Sequence, residues 1–281
     1  MARLLWHVKR KLKEFLPFPY TVNFVIAGTQ KGGTSALDAY LREHPQICMA
    51  AKKELHFFDR DAWFCHGRPN YARYHSWFSP KPGHMILGES TPIYMYWAPA
   101  AKRIQRYNPD MKLLIVLRNP IDRAYSHWNM ECARKRESLP FWEAITREKE
   151  RCAEAQPRQH RIYSYVDRGF YAQQIQHLWR YFPKQQVLVI KNEDLRESPN
   201  QTLSLVSDFL GITPQVTAQV KNVHSRPYQS NITDREREYL AHLYAPDIHL
   251  LEKSLGWDCS DWLKGVAKLR TATPGFSASP R

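Results

Sequence analysis

The run GTQKGGTS at residues 28–35 sets one cation, Lys31, ahead of two adjacent glycines, Gly32 and Gly33, and two hydroxyls, Thr34 and Ser35. Glycines let backbone N–H groups approach a guest closely, the lysine adds a full charge, and the hydroxyls add donors. Such a set suits a phosphate or another multiply charged oxyanion. A second anion-binding pair is Arg118 and Ser126, a guanidinium fork and a hydroxyl that together can close on one phosphate. Between them, KELHFFDR at residues 53–60 gathers Glu54, His56 and Asp59 around Phe57 and Phe58. Aromatic surface raises a carboxylate pKa and nearby lysines lower it, and a carboxylate so placed can act as a general base.

The loop departs from the Walker A pattern. That pattern needs lysine directly after the last glycine, followed by Ser or Thr. Here Thr34 occupies that place and Lys31 lies three positions earlier, so its charge meets a bound diester or anhydride from another side.

The elements that must hold these groups are legible as strands and helices. Residues 22–27 form an apolar run that reads as a buried strand, and Ala36, Leu37, Tyr40 and Leu41 then recur at helical spacing until His44–Pro45. Strand, glycine-rich turn and helix start in that order make an anion nest. Residues 47–50 are a short apolar stretch, and residues 85–87 a short strand before Gly88 and the polar set Glu89, Ser90, Thr91. Pro99 opens a helix to Tyr107. Residues 113–117 form a second strong strand with Arg118 at its carboxyl end, where ligands bind in open α/β sheets, and Pro120 begins the helix that carries Ser126.

Residues 61–80 are an aromatic-rich connection, read either as an acceptor platform or as satellite core. Residues 131–160 read as a solvated, charged insertion bordering an acceptor cleft, with one helix over 141–151. A helix from Tyr171 to Phe182, a strand at 186–190 and a helix over 201–210 capped by Gly211 complete the core. A final helical region, 234–255, buries Leu240, Leu243, Leu250, Leu251 and Leu255 and is interrupted by Pro246. The expected organisation is a basic N-terminal extension at 1–20, one domain over 21–264, and a disordered tail over 265–281 rich in Thr, Ser, Pro and Ala. The extension is read as a short amphipathic helix packed on the domain, with peripheral membrane contact as the alternative.

The 281 residues carry 41 Lys and Arg against 27 Asp and Glu, a formal net charge of +14. That excess favours an anionic partner but does not choose among nucleotide, acidic glycan, nucleic acid and membrane surface. No run has transmembrane length and no signal-peptide pattern appears at the start. The five cysteines show no metal-ligand spacing, which fits reduced thiols and a cytoplasmic setting.

In combination these motifs resemble the sulfotransferases that use 3′-phosphoadenosine 5′-phosphosulfate (PAPS), nearest to the heparan-sulfate-type and related bacterial branch. GTQKGGTSAL at 28–37 is similar to that family's 5′-phosphosulfate loop, and LRNPIDRAYSHW at 117–128 to its 3′-phosphate motif, with Arg118 and Ser126 at the ligand positions. KELHFFDR places Glu54 on the catalytic carboxylate, and GESTPIY at 88–94 and GFYAQQIQHLWRYFP at 169–183 match in order. Departures from the glycan 3-O-sulfotransferase pattern are Ser35 in place of arginine, no lysine in the segment from Glu89 to Pro92, and Leu55 in place of proline.

The resemblance implies a P-loop-like three-layer α/β/α domain with a central parallel sheet, no metal, and release of PAP, adenosine 3′,5′-bisphosphate. It assigns Glu54 as general base, and His56 as its orienting partner or an aid to the bridging oxygen. Lys31 and residues Gly32, Gly33, Thr34 and Ser35 would hold the 5′-phosphate, with Lys31 also following charge on the leaving side. Arg118 and Ser126 would hold the 3′-phosphate, with Lys221, Ser225 and Arg226 from the basic loop 220–230 folding over the same end. The expected acceptor is a hydroxyl of a saccharide or glycan; a small alcohol, phenol or lipid is the alternative. A P-loop small-molecule kinase and a nucleic-acid-binding protein are weaker readings: the first lacks lysine at 34, the second any recognisable nucleic-acid motif.

Overall fold

The computed structural model describes residues 10–14, 19–65, 69–153, 159–214 and 231–264. Five strands form one parallel sheet: β1 (Phe24–Gly28), β2 (Ile47–Met49), β3 (Ile86–Ser90), β4 (Lys112–Leu117) and β5 (Val187–Lys191), in the order β2-β3-β1-β4-β5. All five residues of β1 are buried because helices cover both faces, which is why parallel strands read as continuous apolar runs. Alternate side chains serve opposite layers. Phe24 and Ile26 pack with Leu37, Tyr40 and Leu41 of α1 (Thr34–Arg42), and Val25 and Ala27 join the larger core on the other face. The result is the three-layer α/β/α arrangement.

On the larger side lie α2 (Tyr71–His75), α3 (Ala98–Tyr107), α4 (Pro120–Ala133), α5 (Phe141–Thr146), α6 (Glu148–Ala153) and α7 (Tyr171–Trp179). On the α1 side lie α8 (Asn192–Glu197) and α9 (Pro199–Leu210), which contribute Leu195, Leu203, Val206 and Leu210. β1 and β4 are neighbours, so the loop after β1 and the turn after β4 emerge side by side at the carboxyl edge of the sheet.

Five expectations are corrected. β3 does not stop at residue 87 but runs through Gly88, Glu89 and Ser90. The buried Glu89 is tolerated because Thr91, Tyr94 and Tyr74 hydroxyls donate to it at 2.7, 2.9 and 3.2 Å. Residues 131–153 are not simply solvated: Phe141, Ala144, Ile145 and Cys152 are buried and so are Glu131, Glu137 and Glu148, while 133–136 are exposed, and the helix breaks into α5 and α6 at Arg147. Pro246 does not interrupt the last helix, α10 (Asp234–Leu255). The missing proline donor costs about 3 kcal/mol, and the stripe Leu240, Tyr244, Ile248, Leu251, all under 2% exposed, offsets it. Leu243 and Leu250 therefore face outward, at 37% and 40% exposure. Helix α10 starts on a Thr233/Glu236 capping box and ends at Gly256 with φ 68°.

In the aromatic connection, Trp63, Phe64 and Tyr74 are satellite core. The Phe57 ring lies 5.3, 5.7 and 4.9 Å from those of Trp63, Phe64 and Tyr74. Among the described residues no helix is long and apolar enough to cross a membrane.

Candidate active site

The loop between β1 and α1 is pressed against two neighbours. A Cβ on Gly32 would stand 2.4 Å from the Val116 carbonyl oxygen of β4, and one on Gly33 2.1 Å from Asn192 Nδ2 of α8. Gly33 is also the N-cap of α1 at φ 109°, a conformation open to glycine, and it offers no side chain to the first-turn N–H groups. Lys31 takes φ 69°. The loop is anchored from outside: the Arg168 guanidinium, buried and stacked 4.7 Å over Tyr96, donates to Gln30 Oε1 and to the carbonyls of His160 and Arg161.

Lys53 approaches the same loop. Its Nζ donates to Ser35 Oγ at 2.6 Å and contacts Thr34 Oγ1 at 3.4 Å. Burial lowers its pKa, against the raising pull of Glu54 and Asp38.

Arg118 and Ser126 lie at the end of the strand next to β1 and on the helix after it. Arg118, half-buried, follows β4 directly, and its carbonyl accepts from Tyr171 Oη at 2.8 Å. Ser126 lies on α4 and is 5% exposed. Asn119 between them caps α4 through Ile121 N at 2.9 Å and ties the turn to the Trp262 carbonyl at 3.1 Å. Lys221, Ser225 and Arg226 lie outside the described residues.

Glu54 and His56 are both held in the left-handed region, at φ 59° and 53°. The surroundings impose it: Glu54 N donates to Ser90 O at 2.7 Å, and Tyr94 Oη accepts from Phe57 N at 3.0 Å and Phe58 N at 3.4 Å. Tyr94 in turn donates to the buried Glu89, so the GESTPIY segment is the frame on which KELHFFDR is hung.

A charge relay follows. His56 Nε2 stands 3.7 Å from Glu54 Oε2, His56 Nδ1 donates to Asp59 Oδ2 at 3.0 Å, and the fully buried Asp59 also accepts from Arg161. Burial alone would lower the His56 pKa, but Asp59 and then Glu54 overcome it and raise it to about 9. His56 is therefore cationic at neutral pH. That cation is the main cause holding Glu54 below the usual carboxylate range; burial opposes it, and Lys53 and Arg134 add to it.

Gln30 from the loop, Glu54 and His56 share the walls of one cleft of about 320 Å³ with Arg60, Arg134, Arg136 and Arg161. Glu131, on the same wall, is paired with Arg134 at 3.0 Å and lies 3.8 Å from Arg136. Gln30 of the β1–α1 loop and Glu54 thus share one opening, lined by four arginines. His127 is not in it. That ring is fully buried, edge-on to Tyr165 at 4.9 Å, and its pKa is pushed well down by burial and by Arg168, Arg123 and Lys31.

Residues 22–243 match the family model described as the sulfotransferase domain. This chain belongs to the sulfotransferase family. Human heparan sulfate glucosamine 3-O-sulfotransferase 6 is 36% identical over 193 residues, covering 69% of this chain and 53% of the human protein. The membrane-associated sulfotransferase kil1 of Dictyostelium discoideum is 32% identical over 121 residues, 42% of this chain and 25% of that one. The chain spans about half the length of the 3-O-sulfotransferase it matches. A crystal structure of a sulfotransferase from Alicyclobacillus acidocaldarius superposes with TM-score 0.75 at 30% identity, covering 86% of this chain and 99% of that one. The sulfotransferase domain of the Synechococcus PCC 7002 olefin synthase shares the fold, with TM-score 0.50 at 15% identity over 88% and 98% of the two chains.

Several residues of this candidate site carry no sequence signal. Arg161 reaches Asp59 from 102 positions away and Arg168 reaches Gln30 from 138, and such pairs exist only once the chain is folded. Lys53 was visible as a lysine beside Glu54, but its contact with Ser35 was not. Asn192 opens α8 against Gly33, in a strand–helix unit to which the sequence assigned no site residue.

Proposed function

We propose that this sulfotransferase moves a sulfuryl group from PAPS to a hydroxyl of a saccharide or glycan acceptor, with Glu54 as general base. The observation that carries the reading is the cleft in which the loop residue Gln30 and the ionised Glu54 face one opening.

The residues present fit PAPS. A Cβ at Gly32 or Gly33 would strike β4 or α8, so this loop path needs glycine; the Gly32 N–H donates to Thr29 O at 2.9 Å, and the N–H groups at the start of α1 are those that would meet a phosphate. Lys31, Thr34 and Ser35 surround the start of α1 and would hold the 5′-phosphate. Arg118 and Ser126, on the adjoining strand and helix, would hold the 3′-phosphate, with Lys221, Ser225 and Arg226 assigned to the same end by resemblance. When bound, PAPS supplies the sulfuryl group and leaves as PAP. Glu54 takes the proton of the acceptor hydroxyl. Its depressed pKa keeps it ionised at neutral pH but makes it a weak base, so proton transfer must accompany attack rather than precede it. His56, cationic and fixed by Asp59, keeps the carboxylate in place and shields its charge.

The four arginines around Glu54 support an acceptor that carries its own anionic groups. The test is transfer of label from PAPS over pools of acidic polysaccharide, neutral polysaccharide, glycolipid, phenol and aliphatic alcohol. The reading expects label in acidic polysaccharide, with a rate that falls as salt rises. Label confined to phenol or aliphatic alcohol would overturn the glycan assignment.

A further inference from the structure

Lys53 and Glu54 are consecutive, yet their side chains have different neighbours. Glu54 lines the cleft, while the Lys53 ammonium lies on the hydroxyls of Ser35 and Thr34 at the first turn of α1. The left-handed backbone at Glu54 and its N–H bond to Ser90 O fix this divergence. We propose that Lys53 is a second cation at this loop, in addition to Lys31, and a catalytic residue placed to neutralise charge on the 5′-phosphosulfate end of the donor. The inference rests on the PAPS reading given above.

The electrostatics of Lys53 ask for an anion. Its two hydrogen-bond partners are neutral hydroxyls. Asp38, the carboxylate on the neighbouring turn, is held by both Arg42 Nε at 2.7 Å and Arg42 Nη2 at 3.2 Å. Among the described residues no carboxylate stands within 4.0 Å of Lys53. A half-buried ammonium whose hydrogen bonds go to neutral hydroxyls, with Glu54 and Asp38 acting only from beyond ion-pair distance, is incompletely compensated, and burial lowers its pKa against their pull. A phosphate or sulfate at the start of α1 would supply the missing charge, with the helix dipole acting in the same direction.

The chemistry gives that charge a use. As the acceptor oxygen bonds to sulfur, the bond from sulfur to the 5′-phosphate oxygen breaks, the acceptor proton passes to Glu54, and the bonding pair stays on the phosphate oxygen. Negative charge thus grows on the leaving side, where a fixed cation stabilises the transition state more than the ground state. One dipeptide then answers both ends of the transfer: Glu54 the proton, Lys53 the departing charge.

The test compares wild type, Lys53→Met and Lys53→Arg by three measurements. These are turnover at saturating PAPS, PAP affinity by calorimetry, and the melting temperature without ligand. Lys53→Met should lower turnover by about 10²–10³-fold, the usual loss for one preorganised donor. PAP affinity should fall by roughly tenfold, the melting temperature should not fall, and Lys53→Arg should recover most of both losses. Lys53→Met within twofold of wild type in turnover and PAP affinity overturns the inference. So does a loss that tracks a lower melting temperature and is not rescued by arginine. Wild type without affinity for PAP would remove the PAPS reading and this inference with it, whereas wild type that binds PAP beside an unaffected Lys53→Met removes Lys53 alone.

Discussion

Replacing Asp59 by asparagine should move the titration of His56 and, through it, the charge on Glu54. Asp59 is fully buried, accepts from His56 Nδ1 at 3.0 Å, and is the first of the partners that raise the His56 pKa to about 9 against the lowering effect of burial. A histidine whose folded pKa lies above its ordinary 6.5 stabilises the fold fully below pH 6.5, and that contribution is lost as pH rises through about 9. The gap has an upper bound of roughly 3 kcal/mol at 1.36 kcal/mol per unit. The ring is 34% exposed, so solvent screening brings the expected loss between pH 6.5 and 9 to about 1–2 kcal/mol. The depressed carboxylates Glu54 and Asp59 act at the other end of the scale: their contribution is present above about pH 4 and lost as pH falls through their folded values. The assay is a histidine-ring NMR titration of wild type and Asp59→Asn, with urea denaturation at pH 6, 7.5 and 9. Wild-type His56 should titrate near 9 and the variant at least about one unit lower, with a flatter stability profile on the alkaline side. A wild-type His56 that titrates at its ordinary value, or an unchanged one in Asp59→Asn, would refute the relay.

Other perturbations separate the two phosphate ends. Arg118→Ala should weaken PAP binding by roughly 1.5–3 kcal/mol, as for a lost charged hydrogen bond, and barely alter binding of adenosine 5′-phosphosulfate, which lacks the 3′-phosphate; calorimetry with both ligands checks this, and equal losses would remove Arg118 from the role. Lys31→Ala should reduce saturated turnover more than PAP affinity, because charge on the leaving side grows in the transition state; a tenfold loss of affinity at full turnover would make it a binding group only. Gly32→Ala would set a Cβ 2.4 Å from the Val116 carbonyl oxygen, so PAP affinity should fall more than about tenfold while circular dichroism stays that of the wild type. Retained affinity would mean that the loop is not the phosphate cradle.

The parts of the molecule readable from sequence are those whose partners are local. The strand and glycine turn at 22–35 announce themselves because β1 is buried on both faces and must be continuously apolar. The placement of Arg118 at the end of β4 and of Ser126 on α4 was legible because a strand end and the helix after it lie close in the chain. Glu89 was misplaced outside its strand because a carboxylate in a buried strand looks improbable until the hydroxyls of Tyr74, Tyr94 and Thr91 are seen around it. The charge of the 131–160 stretch suggested solvent, yet Glu137 is buried against Arg151 at 2.8 Å and Tyr165 Oη at 2.8 Å. Pro246 counted as a helix breaker because its local cost is visible in sequence and the tertiary stripe that outweighs it is not. Glu54, His56 and Asp59 stand together in the sequence, but the bond from His56 to Asp59, the hold of Arg161 on Asp59 and the approach of Arg134 to Glu54 come from packing.

The central claim is that Glu54 acts on the acceptor and not on PAPS, and one comparison tests it most directly: wild type against Glu54→Gln, with turnover measured by transfer of label from PAPS and binding measured with PAP. Glutamine keeps the size of the side chain and one acceptor oxygen but cannot take a proton at neutral pH. Turnover on an alcohol acceptor should fall by about 10²–10⁴-fold, the usual worth of a general base, while PAP affinity stays within about twofold, since no phosphate contact is lost. Near-full turnover in Glu54→Gln, or a loss of turnover that follows a loss of PAP affinity, would contradict the account.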